Sequence, residues 1–201
     1  MRIITGSARG CKLKPVPGDT TRPTRDMVKE ALFSIIQFDI EGRTVLDLFA
    51  GTGQLGLEAL SRGAAKAVLV DHTAAAVKTI HENAAAAKLA GRAEIRQSDY
   101  KAYLQAAPKK AFHLVLIDPP YLAGYLKRVL NFVETFDIVA DNGRIICEGK
   151  AGETMPETVG RLRLVKAYHY GITSLYLYRR CLLYTSPSPR DPKTSRMPSS
   201  A

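Results

Sequence analysis

The sequence predicts an α/β protein built on a doubly wound, mostly parallel sheet with helices on both faces, and three observations predict it. From Thr44 onward, short apolar runs alternate with helical patterns, the order that successive βαβ units require. A glycine-rich turn, Asp47-Leu48-Phe49-Ala50-Gly51-Thr52-Gly53-Gln54-Leu55-Gly56, follows the first of these runs and opens a helix. A later run ends abruptly in Asp118-Pro119-Pro120-Tyr121.

Taken in order, residues 2–5 and 11–14 flank Gly6-Ser7-Ala8-Arg9-Gly10 and predict a β-hairpin. A turn-rich stretch runs from Pro15 to Pro23, and Thr24 is placed to cap a helix with Val28, Leu32, Ile35 and Ile36 on one face. Strands are expected at 44–49, 66–71, 93–97, 112–118 and 144–148, separated by helices near 55–62, 73–89, 99–106 and 126–136. Residues 163–170 and 172–179, joined near Gly171, read as a closing antiparallel pair. After Arg180 the character changes: Pro187, Pro189, Pro192 and Pro198 stand among five serines with no periodicity. Such a composition builds no core. The expected division is therefore a basic arm over residues 1–23, a main domain over 24–180, and a disordered, non-native tail over 181–201.

Composition narrows the classes. In 201 residues a hydrophobic fraction of 46% is enough for a packed core. The first residues have no apolar leader core, and no stretch approaches the roughly 18 apolar residues of a membrane span. Cys11, Cys147 and Cys181 match neither disulfide nor zinc spacing, and the four histidines form no ligand pattern. A cytoplasmic protein without a metal is expected. The net charge is +10, and half of it sits in the first 29 residues, where seven Lys/Arg face only Asp19 and Asp26. Arg2, Arg9, Lys12, Lys14, Arg22 and Arg25 are candidate contacts to a polyanion. The alternative is a solvated basic surface.

Gly51, Gly53 and Gly56 satisfy G-x-G-x-x-G, and Asp71 follows 20 residues after Gly51 at the next strand's end. A dinucleotide would be served by the same features, so an NAD-dependent oxidoreductase is a rival. Asp47 discriminates: a carboxylate beside the turn repels a pyrophosphate and suits S-adenosylmethionine, which carries a sulfonium and an ammonium. A turn or capping role is the plainer reading of Asp47 and of Asp71.

Two consecutive prolines force the chain out of the sheet after Ile117. Asp118 and Tyr121 thereby reach the carboxyl edge, where such folds bind ligands. An aryl amine is a poor nucleophile because its lone pair is delocalised. A carboxylate at Asp118 and the Pro119 carbonyl can accept its two N–H bonds, while Tyr121 stacks on an extruded base. The plainer reading is a strand-ending turn with a core tyrosine.

At these residues the chain, from about 1 to 180, resembles the bacterial 16S rRNA guanine-N2 methyltransferases of the RsmD type. The resemblance is carried by Arg2-Ile3-Ile4-Thr5-Gly6, Thr21-Arg22-Pro23-Thr24, Val28-Lys29-Glu30-Ala31-Leu32-Phe33, the glycine-rich segment from Asp47 to Leu60, and Asp118-Pro119-Pro120-Tyr121. It implies a class I methyltransferase fold, Rossmann-like and seven-stranded, preceded by a basic hairpin that engages RNA. It also implies S-adenosyl-L-methionine as cofactor, and a guanine of 16S ribosomal RNA, free or in a small-subunit assembly particle, as substrate. Asp47, Gly51 and Gly53 would hold the methionine end, Asp71 the ribose hydroxyls, and Ser98 and Asp99 the adenine. For Asp99 a helix N-cap is an equally direct reading. A monomer is expected. The residues alone leave adenine-N6 methylation of a nucleic acid open as an alternative, because Asp-Pro-Pro-Tyr serves that chemistry too. A non-catalytic RNA-binding protein is disfavoured by Asp47 and Asp118.

Overall fold

Strand β1 (Thr44–Asp47) lies between β2 (Lys66–Asp71) and β4 (Phe112–Ile117), and the whole architecture follows from that position. The computed structural model of the chain describes residues 1–18, 26–120 and 124–181. Strand β3 (Ala93–Gln97) extends the sheet beyond β2, and β5 (Val139–Lys150) beyond β4, all five strands parallel. The chain thus winds outward in one direction through β3, then returns past β1 and winds the other way. The crevice at this reversal, between β1 and β4, is where folds of this class bind ligands.

Beyond β5 the sheet turns antiparallel, through β8 (Thr173–Arg180), β7 (Leu162–Tyr170) and the two-residue β6 (Thr158–Val159). The full order is β3-β2-β1-β4-β5-β8-β7-β6. Eight strands therefore form where seven are expected. The eighth, β6, is an edge pairing of two residues, too short to leave an alternation in the sequence. Strand β5 also begins earlier than expected, at Val139. The strand runs through Asp141-Asn142-Gly143, and its register with β4 shifts between Phe112 and Leu114.

Two cores explain the hydrophobic pattern. On one face, Val45, Leu69, Leu114, Leu116 and Ile146 meet α1 (Asp26–Ile35), α2 (Gln54–Ser61) and α3 (Ala74–Ala86). On the other, Leu46, Val70, Val115, Ile117 and Cys147 meet α4 (Tyr100–Ala106) and α5 (Tyr125–Thr135). Central strands covered on both sides carry continuous apolar runs, which is why their positions were legible. The expected helix cap at Thr24 and the tail from residue 182 onward lie outside the described residues. Among the described residues no helix is long and apolar enough to cross a membrane.

Candidate active site

The glycine-rich turn is held to the sheet at two points: the Leu48 amide donates to the Leu116 carbonyl at 3.1 Å and the Ala50 amide to the Val70 carbonyl at 2.9 Å. Gly51 and Gly53 both have positive φ, 52° and 79°, a conformation that side-chain-bearing residues rarely adopt. Gly56 serves packing instead. A Cβ there would sit 2.7 Å from the Leu69 side chain, so its absence lets α2 lie close on β2.

Asp47 lies beneath this turn, 1% exposed. Its Oδ2 accepts the Gly56 amide at 2.8 Å, whereas Oδ1 is buried and accepts no hydrogen bond among the described residues. Burial pushes its carboxyl up to about 7; the Gly56 and Phe49 amides oppose that rise and the nearby Asp71 charge adds to it. A buried carboxylate beside a glycine turn is a site with capacity for a cation.

Asp71 joins the turn to the next unit. Its Oδ2 accepts the Gly51 amide at 2.9 Å, and its Oδ1 accepts the Thr73 amide at 2.9 Å and hydroxyl at 3.0 Å. The Asp71 carbonyl receives the Ser98 amide at 2.9 Å. Asp99 caps α4, its Oδ1 accepting the Lys101 and Ala102 amides, so the capping reading describes that oxygen.

Asp71, Ser98 and Asp99 nevertheless come together on one cavity of about 150 Å³. Asp47, Gly51 and Gly53 do not line it. The cavity also has an aromatic wall that sequence reasoning missed: Phe49, Tyr100 and Tyr125, with ring centroids 5.3–6.0 Å apart. Phe49 was inside the glycine segment and Tyr100 next to Asp99, but nothing in the sequence says that these rings meet Tyr125. Two carboxylates and three aromatic rings on one cavity are the group types that recognise ribose hydroxyls and a base.

At the end of β4, Asp118 is half-buried, Pro119 buried and Pro120 exposed. Pro120 lines this 150 Å³ cavity and, together with Pro119, a second one of about 500 Å³. Pro120 therefore stands between two chambers, while Asp118 lines neither. The larger chamber carries Lys127, Glu148, Lys150 and Glu153, none of them singled out from sequence. Their only signal was the polar Glu148-Gly149-Lys150 after an apolar strand. Tyr121 lies outside the described residues. Among the described residues no group of three His, Cys, Asp or Glu could hold a metal.

Known proteins resemble this chain. The model of a family described as conserved hypothetical protein 95 matches residues 1–179. Ribosomal RNA small subunit methyltransferase D of Escherichia coli (strain K12) is 36% identical over 181 residues, covering 90% of each chain. The chain belongs to this RsmD-type methyltransferase family. The solved structure of Escherichia coli yhhF superposes with a TM-score of 0.77 at 38% identity, covering 90% of this chain and 98% of that one. An RNA methyltransferase of Salinibacter ruber, solved with S-adenosyl-L-homocysteine, shares the fold at 17% identity and TM-score 0.63, over 80% of this chain and 94% of that one.

In this RsmD-type chain the basic arm is clamped to the domain. Arg2 and Lys12 form one antiparallel bridge, and Ile3 and Leu13 are buried in the core, so the expected hairpin is present in minimal form. Glu58 of α2 accepts the Ile4 and Thr5 amides at 2.7 and 3.0 Å. A Cβ at Gly6 would collide with the Ser61 carbonyl at 1.8 Å, so only glycine allows this approach. Asn83 of α3 accepts the Lys14 amide at 2.8 Å and donates to the Lys14 and Thr52 carbonyls. Arg2, Arg9, Lys12 and Lys14 remain exposed. Arg2 comes within 3.9 Å of Asp26 and Lys14 within 2.8 Å of Glu82. Arg22 and Arg25 lie outside the described residues.

Proposed function

We propose that this RsmD-type enzyme transfers a methyl group from S-adenosyl-L-methionine to the exocyclic N2 amine of a guanine in 16S ribosomal RNA. The observation that carries the reading is Pro120, two residues after Asp118, as a wall shared by the cavity that Asp71, Ser98 and Asp99 line and by a larger chamber. When bound, the cofactor supplies an electrophilic methyl group on a sulfonium.

The chain's own residues do the rest. Asp71 accepts the ribose hydroxyls, and Ser98 and Asp99 face the adenine. Gly51 and Gly53 open the turn for the methionine end, toward which Asp47 contributes negative charge. Asp118 and the Pro119 carbonyl accept the two N–H bonds of the target amine, turning its lone pair toward the methyl group, while Tyr121 stacks on the extruded base. The proton released after attack passes to Asp118 or water. No strong base is needed, because the methylated nitrogen is cationic and acidic.

Residues 1–23 act as the RNA-binding arm, with Arg2, Arg9, Lys12, Lys14, Arg22 and Arg25 on phosphates. Residues 24–180 form the catalytic domain, and 181–201 lie outside the working unit. The enzyme works in the cytoplasm as a monomer, on free rRNA or an assembly particle.

The test is nucleoside mass spectrometry of 16S RNA and small-subunit particles incubated with enzyme and methyl-labelled cofactor. Label in N2-methylguanosine is expected. Label in N6-methyladenine, or binding of NAD in place of S-adenosylhomocysteine, would overturn the reading.

A further inference from the structure

We propose that Glu148 selects guanine over adenine by accepting the N1–H of the target base. The inference rests on the reading of Asp118 as the acceptor of the base amine.

Three observations place Glu148. Strand β5 runs parallel to β4 with Ile117 opposite Cys147, so the next step of the register sets Asp118 beside Glu148. Neighbouring strands lie about 4.8 Å apart, near enough for two side chains that lean together to reach adjacent polar atoms of one base edge. The face is shared as well. Ile117 and Cys147 belong to the core under α4 and α5, whereas Leu116 and Ile146 belong to the opposite core. Alternation therefore carries Asp118 and Glu148 to the same side of the sheet. Finally, Glu148 is 5% exposed and lines the 500 Å³ chamber that Pro119 and Pro120 also line.

The chamber carries two carboxylates, Glu148 and Glu153, and two lysines, Lys127 and Lys150. The carboxylate that stands beside Asp118 suits a second donor on the edge of the same base. Guanine offers N2–H and N1–H side by side, so one base can meet two neighbouring carboxylates. Adenine offers its amine beside a lone pair at N1, and that lone pair would face a carboxylate. Such a clash rejects a wrong base more strongly than a missing contact does. Glu153 is the lesser candidate because its carboxylate packs over Gly149, whose side of β5 faces Leu126 and the other core.

The experiment uses an rRNA fragment carrying guanine or 2-aminopurine at the position that the wild-type enzyme modifies. 2-Aminopurine keeps the N2 amine but has a lone pair at N1. Wild-type enzyme should prefer guanine by roughly a hundredfold in kcat/KM. In Glu148→Gln the side-chain amide can donate to that lone pair, so the preference should shrink to about tenfold or less. Glu153→Gln should keep the wild-type preference. Binding of S-adenosylhomocysteine to each variant shows that the fold is intact. Equal use of both bases by wild-type enzyme overturns the inference without needing any variant to fold. So does an unchanged preference in Glu148→Gln, or a lost preference in Glu153→Gln alone. If wild-type enzyme methylates no guanine N2 at all, the underlying functional reading has failed instead.

Discussion

Lys29 of α1 and Glu58 of α2 form an ion pair in which neither side chain is exposed, with Nζ and Oε2 3.5 Å apart. Lys29 also donates to the Arg2 carbonyl, and Glu58 accepts from Arg62 Nε at 2.8 Å as well as from the arm. Burial lowers the Lys29 pKa, and the Glu58 charge opposes that shift. The arm, α1 and α2 thus converge on one carboxylate.

Removing that carboxylate strands a buried ammonium and two arm amides. Glu58→Ala should cost about 3–5 kcal/mol in chemical denaturation. Glu58→Gln keeps an acceptor and should cost less. Arg62→Ala, which removes the more accessible partner, should cost about 1 kcal/mol or less. A Glu58→Ala protein as stable as wild type would mean that the arm is held by its apolar anchors alone.

Asp47 gives a pH dependence with a definite sign. Its folded pKa, raised to about 7, exceeds the unfolded value of about 3.9, so its stabilising contribution is present below pH 4 and lost as pH rises through 7. Asp47→Asn sheds the charge and keeps an acceptor for the Gly56 amide. The melting temperature of the variant relative to wild type should therefore climb between about pH 4 and pH 7. Wild-type affinity for S-adenosylmethionine should strengthen over the same window as the carboxylate ionises, and the variant's should not. Parallel melting curves at every pH would leave Asp47 without a role in the pH response.

Asp118 is assigned to the substrate amine, not to the cofactor. Asp118→Ala should lower methyl transfer by roughly a hundred- to a thousandfold, the usual loss when one transition-state hydrogen bond is removed. Calorimetric affinity for S-adenosylhomocysteine should stay near wild type, and Asp118→Asn should retain more activity than the alanine variant. Near-normal turnover by Asp118→Ala would leave the residue as a strand-ending turn.

The basic arm presents side chains from a fixed backbone. Neutral replacement of Arg2, Arg9, Lys12 and Lys14 should weaken RNA binding. It should also reduce the slope of log affinity against log salt by about 0.7–0.9 for each phosphate that is no longer neutralised. The melting temperature should change little, since the pairings with Asp26 and Glu82 are solvent-exposed. Unchanged affinity across salt concentrations would make the arm a solubilising surface.

The sheet and its glycine turn were legible because they are local. A strand buried on both faces must be apolar where it is covered, as at residues 114–117, and a turn with positive φ needs its glycines, as at Gly51 and Gly53. The spacing from Gly51 to Asp71 was readable for the same reason: one helical crossover has a nearly constant length. The Gly51 amide donating to Asp71 is what that spacing becomes in three dimensions.

What the sequence determined by itself is the fold class, the family, and the identity of residues at strand ends, because each depends on neighbours within a few tens of positions. Tertiary structure alone decided which distant residues share a wall. Tyr125 joins Phe49 from a far part of the chain, Glu58 holds an arm more than 50 residues away, and Cys147 comes alongside Ile117 through the β4–β5 register. No local pattern encodes such meetings. They arise when parallel strands pair in register and carry their carboxyl ends, with whatever side chains stand there, to one edge of the sheet.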